Sequence, residues 1–222
     1  MIERILDLYL APVLKRHDFR RKGRLWNREL DATSHVLHVQ SGRWSSGASG
    51  HFTVNLGVFL PSTYQAIWGK PPPKWARDVD CAINVRIGQV MEYGTLAVNA
   101  QRGKERDFWW KFDATTDIEH LGRQVANTVV EHGLPFLEQF DSLAAIHDFL
   151  CSHLEQSTGV PYAFLSLAVL KYELDDEEEA CHLLQLASER FPAWQERAQG
   201  AAYHLGLVSN PKQDQGTQDV AD

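Results

Sequence analysis

The stretch SHVLHVQSGRWSSGASGHFTVNLGVFLP, residues 34–61, decides the fold. Apolar and polar residues alternate along its first part, 34–44, and again along its last part, 51–61. This period of two is typical of half-buried β-strands, whose successive side chains point to opposite faces. The connector between them, 44–50, is rich in Ser and Gly, which favours a flexible link. The stretch therefore predicts two strands of a sheet with one apolar and one polar face.

Other elements extend this sheet in both directions. Apolar residues at helical spacing predict an opening helix that ends near His17, with Pro12 as a possible kink. The segment 19–30 follows. Gly23 is expected to form a bend there, and the residues after it favour a β-strand. Further strands are predicted at 81–91 and at 107–113.

A long segment between the predicted strands, 62–80, contains Trp68, Trp75 and three consecutive prolines at 71–73. Because proline removes a backbone donor and blocks helix interiors, we expect a long loop here. Loops of this length are often functional.

The rest of the chain is helical in pattern. Thr116 and Glu119 form a capping box for a helix that ends near residues 133–135. Helices are also predicted at 134–140, 142–156, 162–174, 176–191 (capped by Asp175) and 194–208. The order is one helix, an antiparallel sheet of four to five strands, and then helices, which predicts the α+β fold class.

The last helices resemble one tetratricopeptide-type hairpin. The matching positions are Phe164, Leu167, Ala168, Ala180, Leu184, Ala187 and Pro192, while Lys171 stands where an aromatic residue is expected. A single unit does not make a solenoid, so we expect a helical appendage.

The charge is divided unevenly along the chain. The formal net charge of −7 combines 18 basic and 15 acidic residues in 1–140 with 4 basic and 14 acidic residues in 141–222. Such asymmetry indicates two modules. We predict a sheet domain over 1–140, a helical segment over 141–208 and a disordered tail over 209–222.

The sequence predicts a cytoplasmic protein. Glu3 and Asp7 interrupt the apolar pattern of the first ten residues, which is unlike a signal peptide, and no apolar run is long enough for a membrane span. Cys81, Cys151 and Cys181 are odd in number and widely spaced, so we expect reduced, buried thiols.

Three motifs in the first part of the chain occur together in a known family. They are LAPVLKRHDFRRKGRLWNRE, VLHVQSGRW and HFTVNLGVF, at residues 10–29, 36–44 and 51–59. Over about residues 1–140 the chain resembles a bacterial family that is catalogued as a domain of unknown function. The resemblance extends to Arg86 and to the pair at 109–110, and it implies a fold but no activity.

One position departs from that family's pattern. Its members have Gly where this chain has Asp18. We therefore expect a different turn before Phe19.

Polar residues on the predicted strands form the first candidate site. His38 and Gln40 share one face of their strand, and Asn55 lies on the polar face of the next. If these faces coincide, the three side chains and Arg86 line one surface that can bind a polar ligand or a partner. The alternative is a hydrogen-bonded network that serves stability alone, because buried amides require partners.

A basic cluster is the second candidate site. Arg20 and Lys22 belong to a run of Lys and Arg residues beside Trp26, which can bind phosphate or nucleic acid. The alternatives are a solvated edge strand and docking onto the acidic part of the same chain. The acidic net charge counts against nucleic acid.

Trp68, Trp75 and Trp110 are candidates for a protein interface, because Trp is enriched in binding hot spots. Burial in a core is the more common outcome for Trp.

His35 and His38 point to opposite faces of one strand, and no metal-binding or catalytic motif accompanies them. We therefore expect no metal, no cofactor and no catalytic residues.

Together these observations favour a non-enzymatic protein-binding module, and one specific form is an immunity or antitoxin-like inhibitor. The alternatives are a small-ligand or enzymatic site on the polar sheet face and nucleic-acid binding through the basic cluster. The sequence does not define the oligomeric state.

Overall fold

The computed structural model describes residues 1–43, 45, 48–91, 108–154 and 160–209. The chain forms two compact units. The first contains Met1–Leu60 and Pro73–Ile146, and the second contains Pro61–Pro72 and the chain from His147 onward. The boundaries expected at residues 140 and 208 stay predictions.

The first unit is built on an antiparallel sheet of six strands among the described residues. The strands are β1 Arg20–Lys22, β2 Leu25–Glu29, β3 Ser34–Ser41, β4 Gly50–Phe59, β5 Ile83–Arg86 and β6 Trp110–Phe112. The sheet runs in the order β1 to β5, and β6 pairs with β4. Since β3 takes one edge of β4, β5 and β6 follow each other along the opposite edge. The α+β prediction is confirmed, with more strands than the four to five expected.

Two residues with positive φ shape the start of the sheet. Gly23 joins β1 to β2 at a φ of 62°, which confirms the predicted bend. Asp18 also has a φ of 62°, immediately before Phe19. Asp visits this left-handed region more readily than most residues, so it adopts a conformation for which Gly is better suited.

Helices of the first unit cover one face of the sheet. They are α1 Ile2–Ile5, a π-helical turn Leu6–Leu10, α2 Ala11–Arg16, α4 Ile87–Val90, α5 Ile118–Thr128, a second π-helical turn Val129–Gly133 and α6 Leu134–Glu138. Fully buried side chains from these helices include Leu10, Leu14 and Val125. They pack with Trp26, Leu37 and Leu56 of the sheet to form the core.

The second unit consists of α3 Pro61–Trp68, α8 Val160–Glu173, α9 Glu177–Arg190, a 3₁₀ turn Pro192–Trp194 and α10 Gln195–His204. The boundary between the two units falls inside α7 Leu143–His153, after Ile146. The tetratricopeptide likeness of α8 and α9 stays a prediction. Apart from Ser209, the predicted disordered tail lies outside the described residues.

The prediction of a loop over 62–80 was wrong for its first part, which forms α3. Pro61 is the first residue of that helix, where its missing N–H costs nothing and its fixed φ suits the helix. The three prolines lie beyond the end of α3, which Gly69 follows at a φ of 64°.

Smaller corrections concern element ends and cysteines. The strand predicted over 81–91 ends at Arg86, where α4 begins. Asp117 caps α5 instead of Thr116, and Asp176 caps α9 instead of Asp175. The thiols are free as expected, but only Cys81 is buried, and those at 151 and 181 are exposed on helical surfaces.

Candidate functional site

The register of the sheet brings six of the predicted site residues onto one face. Lys22, Leu25, His38, Asn55 and Arg86 are successive cross-strand partners on β1 to β5. Arg20 and Gln40 lie on the same face, each two residues from a member of this row. We call this surface the polar face. The opposite surface, which carries Trp26, Leu37 and Leu56, is the helix face.

A chain of hydrogen bonds crosses the polar face between β3 and β4. The Asn55 Nδ2 group donates to Gln40 Oε1 at 2.9 Å and to Asp78 Oδ2 at 2.5 Å. The other oxygen of Asp78, Oδ1, lies 3.0 Å from His38 Nδ1. Gln40, Asn55, Asp78 and His38 therefore form one connected network.

Asp78 was not predicted, because it lies in a segment with no periodic pattern. It opens the 3₁₀ turn Asp78–Asp80 within residues 73–82, which we call the covering segment and which packs on β3 and β4. Asn27 Nδ2 donates to Ala76 O at 3.0 Å, which holds the covering segment to the sheet.

The Asp78 carboxylate is buried but well supplied with donors. Burial alone raises its pKa, yet hydrogen bonds from His38 and Asn55 and the charge of His38 together outweigh burial and lower the pKa. An ionised carboxylate only accepts hydrogen bonds, so Nδ1 of His38 carries the hydrogen. Nε2 is thus the ring nitrogen of His38 that the network leaves unused, and the side chain is 33% exposed.

Asn55 lies at the centre of the network and is 5% exposed. Both of its N–H groups are used, but its carbonyl oxygen Oδ1 is buried without a hydrogen-bond partner in the described part of the chain. Leaving such an acceptor unpaired costs about 1 to 3 kcal/mol.

Arg86 lies on β5, at the edge of the polar face, beside the rings of Trp109 and His51. Its guanidinium carbon lies 5.3 Å from the centre of the Trp109 ring. His51 meets the same ring edge-on at 5.0 Å. Trp109 is therefore held on the polar face by a cation–π contact and an aromatic contact.

Trp110 points the other way. It pairs with Phe52 across β4 and β6, stacks on that ring at 5.6 Å and is 3% exposed. Its side chain belongs to the core on the helix face, so Trp109, and not Trp110, is the member of the pair beside His51 and Arg86.

Part of the basic cluster is used within the first unit. Arg21 pairs with Asp7 and Glu3, and Arg24 pairs with Glu3. Further along, Arg28 Nη1 lies 3.7 Å from Glu138. Arg20 and Lys22, by contrast, are exposed on the polar face. The cluster thus divides between the two faces of the sheet.

The two other predicted interface tryptophans, Trp68 and Trp75, are not members of the hydrogen-bonded network. Trp75 is half-buried in the covering segment. Trp68 belongs to the second unit, where its ring packs within 6.5 Å of Tyr162 and Trp194 and Arg197 lies over it at 4.3 Å. Trp68 thus joins α3 to α8 and α10, which explains its position in structural terms.

His35 has a structural role. Its Nδ1 accepts from Arg28 at 2.8 Å, and its Nε2 donates to Phe140 O at 3.2 Å. Burial lowers its pKa to about 4, so the ring is neutral at pH 7. Within the described residues, no group of three His, Cys, Asp or Glu side chains is arranged to hold a metal ion.

A family model described as domain of unknown function DUF4304 matches residues 10–139, which is more than half of the chain. The chain belongs to this family. The predicted resemblance is thereby confirmed, and the DUF4304 match includes every residue of the network. Comparison with curated proteins and with solved structures gave no match.

None of the helices in the described part of the chain has the length and apolar character that a membrane span requires.

Proposed function

We propose that the first unit, which contains most of the DUF4304 match, is a non-catalytic binding module and that a polar ligand binds on its polar face around Asn55. The observation that carries this proposal is the network that connects Gln40, Asn55, Asp78 and His38. It fixes the orientation of two half-buried side chains, His38 and Gln40, before a ligand arrives. Preorganised polar groups of this kind lose little entropy on binding.

Some polar atoms of the network have no partner within it. They favour a role in ligand binding rather than a role in stability alone. A network that only stabilised the fold would satisfy its own donors and acceptors. Here Asn55 Oδ1 is unpaired, and no hydrogen bond among the described residues uses Gln40 Nε2. Gln40 Nε2 is thus the donor that the network leaves for a ligand, and His38 Nε2 is the acceptor, because Nδ1 carries the His38 hydrogen.

A fragment screen by ligand-observed NMR tests this proposal on the full chain. We expect small hydrogen-bonding fragments to bind the wild type and to lose at least tenfold in affinity in His38→Leu, which corresponds to about 1.4 kcal/mol. His132→Leu is the matched control, since this half-buried histidine lies on the second π-helical turn and not on the polar face. Fragments that bind both variants equally, or an absence of binding, would contradict the proposal.

A second candidate function is protein binding, and one specific form is a bacterial cytoplasmic immunity or antitoxin-like inhibitor. Its support is the charge of residues 141–222, where 14 acidic residues outnumber 4 basic ones. Such a surface suits a basic partner and accelerates encounter with it. Co-purification from the native host at mild salt tests this function, and recovery of no protein partner would count against it.

Nucleic-acid binding through the basic cluster has less support. Arg21, Arg24 and Arg28 are engaged in ion pairs inside the first unit. Fewer cations therefore remain to neutralise a phosphate backbone.

A further inference from the structure

A thiol, an imidazole and a carboxylate are hydrogen-bonded in a row on α7, within the second unit. Cys151 Sγ lies 3.4 Å from His147 Nε2, and His147 Nδ1 lies 3.0 Å from Asp148 Oδ1. The ionised Asp148 carboxylate only accepts hydrogen bonds, so Nδ1 carries the ring hydrogen and Nε2 accepts one from the thiol. This is the order of nucleophile, base and orienting group that activates a cysteine.

The three cysteines of the chain differ in this respect. Cys81 is buried, and its thiol donates to the Arg77 carbonyl at 3.2 Å. Cys151 and Cys181 are both exposed, but only the first is hydrogen-bonded to a histidine within the described residues. Cys151 therefore combines access from solvent with a neighbouring base, and Cys181 serves as an internal reference for exposure alone.

Charged groups on three helices face the Cys151 thiol. Burial raises its pKa, the charge of Lys171 on α8 lowers it, and the charges of Asp148 and of Glu179 on α9 raise it, so the pKa lies above the ordinary value. At neutral pH the group is therefore a thiol and not a thiolate. It reacts efficiently when a base takes its proton as the sulfur attacks, and His147 Nε2 is in position to do so.

A groove beside this row is rich in carboxylates. It has a volume of about 380 Å³ and is lined by Lys171, Asp176, Glu178, Glu179 and His182. The Lys171 amine pairs with Asp176 at 3.1 Å, and Asp176 also acts electrostatically on His147. Because three carboxylates outnumber one ammonium, the groove attracts cations and repels anions.

We propose that Cys151 is a site of mixed-disulfide formation with a small cationic disulfide and that His147 is the base of this reaction. This inference concerns the second unit and does not depend on a ligand of the polar face. The Cys151 sulfur attacks one sulfur of the disulfide, whose S–S bond breaks as the new S–S bond forms. The thiol proton passes to His147 Nε2 and then to the departing sulfur, which leaves as a thiol. Cys151 is thereby oxidised, and the departing sulfur is reduced.

Peptide mass mapping of the full chain after reaction with cystamine tests this site, because it gives the rate at each cysteine. We expect Cys151 to react about tenfold faster than Cys181 at pH 7, and His147→Leu should remove this difference without changing the rate at Cys181. His153→Leu is the matched control and should change neither rate. This exposed histidine of α7 bonds to the Phe149 carbonyl and not to the thiol.

Two further readouts distinguish a base from a structural neighbour. A thiol that reacts only as the free thiolate gains about tenfold in rate per pH unit below its pKa. The rate at Cys151 should rise less steeply than this between pH 6 and 8, and His147→Leu should restore the full slope. Cys151 should also prefer cystamine to the anionic dithiodiglycolate about fivefold more strongly than N-acetylcysteine amide, a neutral model thiol, does.

Each contrary result overturns a defined part of the proposal. Equal rates at Cys151 and Cys181, or a His147→Leu variant that reacts like the wild type, would exclude the base and with it the site. An equal loss of rate in His153→Leu would do the same, because the helix surface would then set the rate. A preference no larger than that of the model thiol would exclude a cationic ligand. Circular dichroism confirms that each variant is folded, and His147→Gln replaces His147→Leu if the latter is not.

Discussion

Two adjacent rows of the same sheet have opposite characters. One row contains Trp26, Leu37, Leu56 and Val85 on the helix face, and the next contains the partners of Asn55 on the polar face. Both rows share the same strands and the same backbone register. The comparison teaches that the register places the side chains, while the layer packed on each face decides what they do.

The two histidines of β3 show the same contrast within three residues. His35 faces the helices, where burial lowers its pKa and keeps it neutral, and where Arg28 and Phe140 are its hydrogen-bond partners. On the other side of the strand, His38 faces the covering segment and bonds to the Asp78 carboxylate. One ring is buried in the core, and the other is part of the network on the polar face.

The largest expected effect comes from removing apolar volume on the helix face. Leu56→Ala should lower the free energy of unfolding by about 3 kcal/mol, because the residue is fully buried and the cavity cannot collapse completely. Urea denaturation followed by circular dichroism measures this loss. A loss below about 1 kcal/mol would mean that the helix face is packed no better than the polar face.

The second prediction concerns the pH dependence that His35 imposes. Its folded pKa of about 4 lies below the ordinary value of 6.5, so between these pH values the unfolded chain binds a proton that the folded chain does not. The contribution of neutral His35 to the free energy of unfolding should therefore be complete above pH 6.5 and be lost as the pH is lowered towards 4. At pH 5 the free energy of unfolding should be lower by about 2 kcal/mol. His35→Gln, which can keep both hydrogen bonds, should lose this slope. Equal slopes in the two proteins would show that folding does not lower the pKa of His35.

The third prediction breaks the network on the polar face. Asp78→Asn places an amide N–H opposite a donor of His38 or Asn55, which should cost about 1 to 2 kcal/mol at pH 7. The folded pKa of Asp78 is lowered, so its contribution is present above the unfolded value near 3.8 and is lost as the pH falls below it. The difference between wild type and Asp78→Asn in urea denaturation should therefore shrink at pH 3. A difference that stays constant with pH would exclude an ionised Asp78.

The smallest effect is expected at Asp18, in the turn that leads into β1. This turn sets which residues of β1 point to each face of the sheet. Asp18→Gly should stabilise the protein by about 0.5 kcal/mol, because glycine adopts a positive φ without strain. Asp18→Ala is the matched control and should destabilise it slightly. Thermal unfolding measures both shifts, and a destabilising glycine would mean that the Asp18 side chain contributes contacts of its own.

Alternation along β3 and β4 was enough to predict the polar face. A period of two fixes the faces of His38, Gln40 and Asn55 once both strands exist, and antiparallel pairing aligns them. Asp78 could not be predicted in this way, since the covering segment has no period and its position depends on tertiary packing. The prolines at 71–73 led to the prediction of a loop over 62–80, although they lie beyond the end of α3.

The pair at Trp109 and Trp110 shows a further limit. Alternation predicts that the two rings point to opposite faces, but it does not say which enters the core. That choice depends on the register of β6 against β4, where Trp110 meets Phe52. Register between distant strands is tertiary information, so the wrong member of the pair was chosen from sequence.

The position of α3 has a consequence for how the chain is made. The helix lies inside the DUF4304 match, yet it packs against α8 and α10, which follow that match. At a synthesis rate of 5 to 20 residues per second, Trp68 leaves the ribosome roughly 5 to 20 s before Tyr162 does. During that interval its ring has none of its later aromatic neighbours on α8. A chain whose translation stops near residue 140 would lack α8 and α10, so the surface that α3 buries against them would be exposed.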